Sequence, residues 1–327
     1  MRNEIVDGVD GLERIAEQWE ALWRRDPNAT PFQSPQWLLP WWKHFGSDTP
    51  HVIASSSNGS LDALAPLYIL RDEDSGESLG MFLGTGNSDY LDVLQIEGGD
   101  ASLLIDSITR ADCQLWDLQQ LRPSSSLLSV PLPDGWSDNV EDQDLCPVLP
   151  IENAGDELQN LLSTHARKKL RYFRRCLERE GDVRYESASA ESLDTLLDAL
   201  YELHAARWQK RGLPGVLADE VMQSFHRDAA RRMLDAGALR MYAVRINERI
   251  VAVFYGFAHQ GTVYYYLSGY DPALEKLSIG NVIVAHAIEN AVRDGAKTFD
   301  FLRGAEEYKY SWGAKDRMNR RRQIYRA

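Results

Sequence analysis

Residues 264–313 read YYYLSGYDPALEKLSIGNVIVAHAIENAVRDGAKTFDFLRGAEEYKYSWG. The tyrosine-rich run has the composition of a strand ending at Ser268-Gly269, and a polar loop follows it. A helix then opens at Ser278-Ile279-Gly280-Asn281 and closes at Gly295, and KTFDFL forms the next strand. The first N–H groups of a helix have no intrahelical partner, and the helix dipole is positive at that end, so an anion is favoured there. Gly280 lets such a group come close to the backbone. An ordinary strand-loop-helix connection with a serine cap would be written in the same letters.

Upstream, LRMYAVRI, VAVFYGFAH and TVYYYLSGY form three strands joined by turns at Asn247-Glu248 and Gln260-Gly261. Three helices come before them: Glu157–Glu180, Leu193–Gln209 and Asp219–Asp235. The chain closes on a strand, RRQIYRA. The other half reads as a mixed α/β unit. Its first helix carries Leu12, Trp19, Leu22 and Trp23 at helical spacing, and a second, PFQSPQWLLPWWKHFG, is kinked or divided at Pro40. HVIASSS and LDALAPLYIL pair across Asn58-Gly59. Between the halves, Pro123 to Pro150 is rich in Pro, Ser, Asp and Asn, the composition of an irregular surface crossover. The expected domains are 1–150 and 151–327.

The 327 residues are 44% hydrophobic and 26% charged, as in a soluble globular protein. A formal net charge of -13 argues against a general nucleic-acid binder. Cys113, Cys146 and Cys176 lie far apart without metal-ligand spacing, so neither a metal nor a disulfide framework is expected. The N-terminus lacks an apolar leader and no stretch reaches spanning length, so a cytoplasmic protein without a membrane span is expected.

The segment from Gly269 to Trp312 resembles the C-terminal core of the GNAT superfamily of acyltransferases. The matching residues are Gly269, Gly280, Ala287, Gly295, Phe299-Asp300-Phe301, Gly304, Glu307-Tyr308-Lys309 and Trp312. With Arg207-Trp208, Arg211-Gly212-Leu213-Pro214-Gly215, Pro31-Phe32-Gln33-Ser34, Trp37, Ser88-Asp89-Tyr90 and Asp92, the chain resembles the CelD-like branch associated with cellulose and exopolysaccharide formation. That branch is similar in layout to the peptidoglycan bridge-forming aminoacyltransferases. The resemblance implies an α/β fold of tandem GNAT-like units with mixed central sheets flanked by helices. It implies acetyl-CoA or another acyl-CoA as co-substrate, a sugar, amino sugar or polysaccharide precursor as acceptor, and association with polysaccharide synthesis machinery. The pyrophosphate loop of the superfamily reads Q/R-x-x-G-x-G/A; Glu275 to Gly280 keeps one of its two glycines. An aminoacyl-tRNA donor, or a non-catalytic partner of a polysaccharide synthase, are the alternatives.

Direct attack of an amine or hydroxyl on a thioester calls for positioning, proton removal and oxyanion stabilisation. The donor-site candidates are Ser268, Gly269, Tyr270, Ser278, Ile279, Gly280 and Asn281. Asp89 and Asp92, beside the turn Gly84-Thr85-Gly86, are candidates for the base, with turn capping as the other reading of both. His204 is a third candidate, or a core histidine on the face set by Leu193, Leu196, Leu197 and Leu200. Arg167, Arg171 and Arg174 share a helix side. They suit an anionic substrate, or a solvated face paired with Glu178 and Glu180. Arg207, Trp208 and Arg211 suit a channel wall, and Tyr308 and Lys309 join the substrate set through the resemblance.

Overall fold

The computed structural model describes residues 2–6, 8–46, 49–72, 74–97, 102–155, 157–210 and 212–327. The chain divides into two compact units, Met1–Cys146 with Asp316–Ala327, and Pro147–Lys315. The boundary differs from the expected one at both ends. Residues 147–150 fall in the second unit, and the last strand returns to the first.

In chain order the elements are β1 (Arg2–Val6), α1 (Val9–Arg25), α2 (Pro35–Phe45), β2 (Thr49–Pro50), β3 (Val52–Ser57), β4 (Ser60–Ala65), β5 (Leu67–Arg71), β6 (Ser78–Phe82), β7 (Leu94–Gln95), α3 (Ser102–Arg110), β8 (Leu115–Leu121) and β9 (Trp136–Pro150). The chain continues with α4 (Thr164–Glu178), β10 (Val183–Ser187), α5 (Leu193–Gln209), α6 (Glu220–Asp235), β11 (Leu239–Ile246), β12 (Arg249–His259) and β13 (Thr262–Tyr270). It ends with α7 (Ile279–Arg293), β14 (Thr298–Asp300), α8 (Glu307–Tyr310) and β15 (Lys315–Arg326).

In the first unit one sheet has the order β1-β3-β4-β7. A second ladder joins β2, β5, β6 and β8, and β15 pairs antiparallel with β8. LDALAPLYIL is not one strand: Pro66, which has no N–H for a ladder, divides it into β4 and β5 in different sheets. Pro40 does not break α2. Ser34 caps the helix by accepting from the Trp37 N–H at 3.2 Å, and burial of Trp37, Leu38, Trp41 and Trp42 outweighs the lost donor.

The acidic segment expected as an irregular crossover is largely strand. Trp136–Pro150 forms β9, and its carboxylates meet the arginines of β15. Asp138 pairs with Arg322 at 2.6 Å, Glu141 with Arg321 at 3.2 Å, and Asp142 with Arg320. The Arg320–Arg322 run is the counter-charge of β9, and Arg322 is buried. Composition misleads here because strand preference depends on cross-strand partners, which local sequence does not show.

In the second unit the sheet order is β10-β11-β12-β13-β14, with residues 148–150 of β9 antiparallel to β14. α7 connects β13 to the parallel β14, and its apolar face, including Ile279, Val282, Ile283, Ala287 and Ile288, forms the centre of this unit's core. α4 begins at Thr164 rather than near Glu157. Ser163 caps it by accepting from the Ala166 N–H at 3.2 Å, and a short 3-10 turn, Leu158–Asn160, precedes it. All three cysteines are buried and unbridged.

Candidate active site

β13 pairs with β14 only at Thr262, Val263 and Tyr264. Past that point the strands part, and a cleft of about 280 Å³ lies there. Its lining includes Tyr265, Ser268 and Tyr270 of β13, Ser278, Gly280 and Asn281 at the opening of α7, Arg207 of α5 and Tyr308 of α8. A cleft at the carboxyl end of a strand feeding a helix is where α/β sheets hold ligands.

A β-bulge shapes the wall. Tyr255 of β12 opposes Leu267, and the next residue, Gly256, opposes Tyr265, which leaves Tyr266 as the extra residue. In an unbroken strand Tyr265 and Ser268 would point to opposite faces. The bulge brings them to one face, where the Tyr265 hydroxyl and Ser268 Oγ lie 2.5 Å apart. Tyr308 acts on the same phenol. Burial, the largest cause, pushes both phenols above their ordinary range, so both keep their protons at neutral pH. Sequence reasoning singles out Ser268 and Tyr308 but not Tyr265. Its only signal is a place in a tyrosine run, and the bulge that aims it is not written locally.

At the helix opening, Ser278 has φ 55 and ψ 35, the left-handed conformation, and makes no side-chain cap. It stands where the superfamily loop has its first glycine, so the glycine-like backbone is kept without the glycine. Asn281 and Val282 donate to the Ser278 carbonyl at 2.9 and 3.1 Å. The Ile279 and Gly280 N–H groups have no partner among the described residues. A Cβ on Gly280 would lie 3.1 Å from the Tyr270 ring, so any side chain there would crowd this wall of the cleft. The left-handed form costs an L-residue roughly 1–2 kcal/mol. Ser278→Gly is therefore expected to raise stability by about 1 kcal/mol, offset in part by the extra freedom of glycine in the unfolded chain. Urea unfolding would show it; a lower midpoint would contradict the strain.

Arg207 lines the cleft with its guanidinium 4.9 Å from the centre of the Tyr270 ring. Glu275, also in the lining, pairs with Lys210 at 2.5 Å.

Other expected site residues lie elsewhere. Ile279 is a fully buried core residue and does not line the cleft. Gly269 packs against α5: a Cβ there would sit 2.8 Å from the His204 nitrogen and 2.9 Å from the Leu200 carbonyl oxygen. His204 accepts from the Trp208 indole at 2.9 Å through Nε2, and burial, with Arg207 second, lowers its pKa to about 4. Its lone pair is taken and its basicity is low, so neither it nor Trp208 is placed for proton transfer. Gly215 closes over both rings. Lys309 is buried and donates to the carbonyls of Arg303 and Gly304 at 2.7 and 2.9 Å, holding the loop before Tyr308 rather than facing a substrate. Arg211 lies outside the described residues.

The basic row on α4 divides. Arg174 makes a bidentate pair with Glu289 of α7 at 2.7 and 3.0 Å, so a carboxylate of the facing helix supplies its counter-charge. Helix spacing alone, which pointed to Glu178, Glu180 or a ligand, could not show this. Arg167 Nε caps the Leu162 carbonyl at 2.9 Å. Arg171 is exposed.

Asp89 and Asp92 belong to the first unit. Ser88 accepts from the Trp37 indole at 2.9 Å, Gln33 donates to the Tyr90 carbonyl at 2.9 Å, and Asn319 donates to the Asp89 carbonyl at 3.0 Å. These motifs therefore tie that unit together. Asp92 Oδ1 accepts from the Val93 N–H at 2.9 Å and from Ser125 at 2.8 Å, a turn-capping role. Burial, eased by Arg122 and reinforced by Asp26, raises its pKa to about 6. A carboxyl whose folded pKa lies above its unfolded value favours the fold at acid pH, and this contribution is lost as pH rises from about 4 through 6. Asp92→Asn is thus expected to stabilise the protein by about 3 kcal/mol at pH 8 and hardly at all at about pH 3. Urea titrations at the two pH values would check it; an equal effect at both would contradict the assignment.

Residues 164–310 match the family model described as an acetyltransferase (GNAT) domain. The protein is an acyltransferase. The matched segment contains every cleft residue named above. Among solved structures the chain is similar to FemX, with 13% identity over 98% of this chain and 97% of that one and a TM-score of 0.69. It is similar to the C-terminal domain of a putative lysylphosphatidylglycerol synthetase from Agrobacterium fabrum, with 12% identity over 96% and 92% and a TM-score of 0.61. A third is L-PGS from Bacillus licheniformis, with 13% identity over 95% and 91% and a TM-score of 0.59. At such identities the likeness is one of fold. A sequence comparison with curated proteins finds no match.

Proposed function

We propose that the protein transfers an acyl group, acetyl first among them, from acyl-CoA to an amine or hydroxyl of a sugar, amino sugar or polysaccharide precursor. The observation that supports this most is the cleft where β13 parts from β14, with unanswered helix N–H groups at one wall and protonated phenols at another. The Gly280 N–H group and its bare Cα fit a pyrophosphate at the positive end of α7. The β13 backbone beyond Tyr264, lacking β14 as a partner, is available to hold the pantetheine arm.

In the transfer, negative charge gathers first on the thioester oxygen and then on the departing sulfur. Phenols that stay protonated suit both: they donate to the developing charge and cannot serve as base. Tyr308 is assigned that role, with Tyr265 and Ser268 orienting it. The acceptor enters as a neutral amine, or loses its proton to water. The sugar class and association with polysaccharide synthesis rest on the CelD-like motifs, and a cytoplasmic site of action is proposed with them. The test is CoA release from acetyl-CoA in the presence of glucosamine and related amino sugars, with thiol detection. Release that depends on the amino sugar supports the reading, and absence of release across such a panel would sink it.

A second donor, aminoacyl-tRNA, is favoured by one feature. Lys168, Lys169, Arg171 and Arg175 form an exposed basic face on α4. Binding of tRNA that falls with salt and is lost when these four are replaced would move the reading to that donor.

A further inference from the structure

Arg207 carries a charge in the cleft that no group among the described residues answers. Among the described residues it has no ion pair, and its Nε is buried without a hydrogen-bond partner. The carboxylates near the cleft are engaged elsewhere, Glu275 with Lys210 and Glu306 with Lys309. Its field lowers the pKa of His204 and opposes the upward push on Tyr265 and Tyr308, so the charge is felt throughout the site. A half-buried guanidinium left in this state costs stability unless a ligand supplies the missing acceptor. Tyr270 meanwhile holds the side chain by a cation–π contact, which limits the entropy lost on binding.

We infer that Arg207 is an oxyanion-binding residue of this cleft, taking a phosphate or carboxylate of the substrate in its planar fork. It compensates for a pyrophosphate loop that keeps one glycine where the superfamily has two. The inference deepens the acyl-CoA reading and rests on it for one of its two sources. The oxyanion belongs either to the donor's pyrophosphate or to an acidic group on the acceptor.

The test is calorimetric titration of wild type, Arg207→Gln and Arg207→Lys with inorganic pyrophosphate, acetyl-CoA and S-acetylpantetheine. It is joined to Michaelis constants for glucosamine and glucosamine 6-phosphate. Arg207→Gln is expected to weaken pyrophosphate at least about tenfold, as loss of a charge-assisted pair requires. Arg207→Lys, which keeps the charge without the fork, falls between the two. An equal loss for acetyl-CoA with S-acetylpantetheine unchanged places the oxyanion on the donor. Unchanged acetyl-CoA with a raised Michaelis constant for glucosamine 6-phosphate alone places it on the acceptor. If pyrophosphate, acetyl-CoA and both Michaelis constants stay within about twofold of wild type in Arg207→Gln, the inference is overturned, since a lost charged contact exceeds that. Should wild type fail to bind acetyl-CoA, the acyl-CoA reading falls, while the pyrophosphate comparison still decides the role of Arg207.

Discussion

Tyr308→Phe is expected to lower kcat about 100-fold while the donor's Michaelis constant changes by less than about threefold. The ring would survive the change, and with it the edge contact to Phe301 at 6.3 Å. What is lost is one hydroxyl in a cleft whose other phenol, Tyr265, already pairs with Ser268. Burial holds the Tyr308 proton well above the ordinary phenol range. The protonated form is the active one in this account, so the basic limb of the kcat profile should lie above about pH 10, the unperturbed phenol value. Steady-state kinetics with acetyl-CoA and an amino sugar would measure both. A variant with wild-type kcat would remove Tyr308 from the chemistry and leave it as part of the wall.

Gly269→Ala is expected to destabilise the second unit by about 3 kcal/mol. The atoms a Cβ would strike, at 2.8 and 2.9 Å, are backbone nitrogen and oxygen of α5. Neither can turn away as a long side chain would. α5 cannot retreat either, because Leu193, Leu196, Leu197 and Leu200 are fully buried on it. The consequence for the site is that β13 and α5 must separate, which moves Tyr270 away from Arg207. Thermal unfolding should show a midpoint lower by roughly 10 °C. A midpoint within about 2 °C of wild type, less than the shift of 1 kcal/mol, would mean the contact is looser than described.

Much of the second unit was legible because its signals are local. The β11–β13 hairpins end in left-handed Asn247 and Gln260 at the turns read from sequence. α5 and α7 carry unbroken apolar faces of helical period. The errors fall where distant partners decide. β9 looks like a loop by composition and is a strand because Arg320, Arg321 and Arg322 return from the chain terminus to meet it. Arg174 looks like a ligand residue and is neutralised by Glu289, 115 residues away. Within the site, glycine, serine and asparagine at the opening of α7 could be picked out because helix-end chemistry is a short-range rule. Tyr265 could not, since its direction depends on one extra residue opposite Tyr255 and Gly256. His204 was ambiguous as a sequence letter, and the Trp208 indole on its Nε2 makes it a packing residue.

On the proposed reading, an acyl-CoA phosphate group sits at the N-terminus of α7. Calorimetric titration of acetyl-CoA into wild type and Gly280→Asp tests it most directly, because the substitution puts a carboxylate where the phosphate would lie. The account predicts micromolar-range binding by wild type and at least about a tenfold loss in the variant, in line with removing a helix-end anion site. Equal affinity in the two proteins, or no binding by wild type, would contradict it.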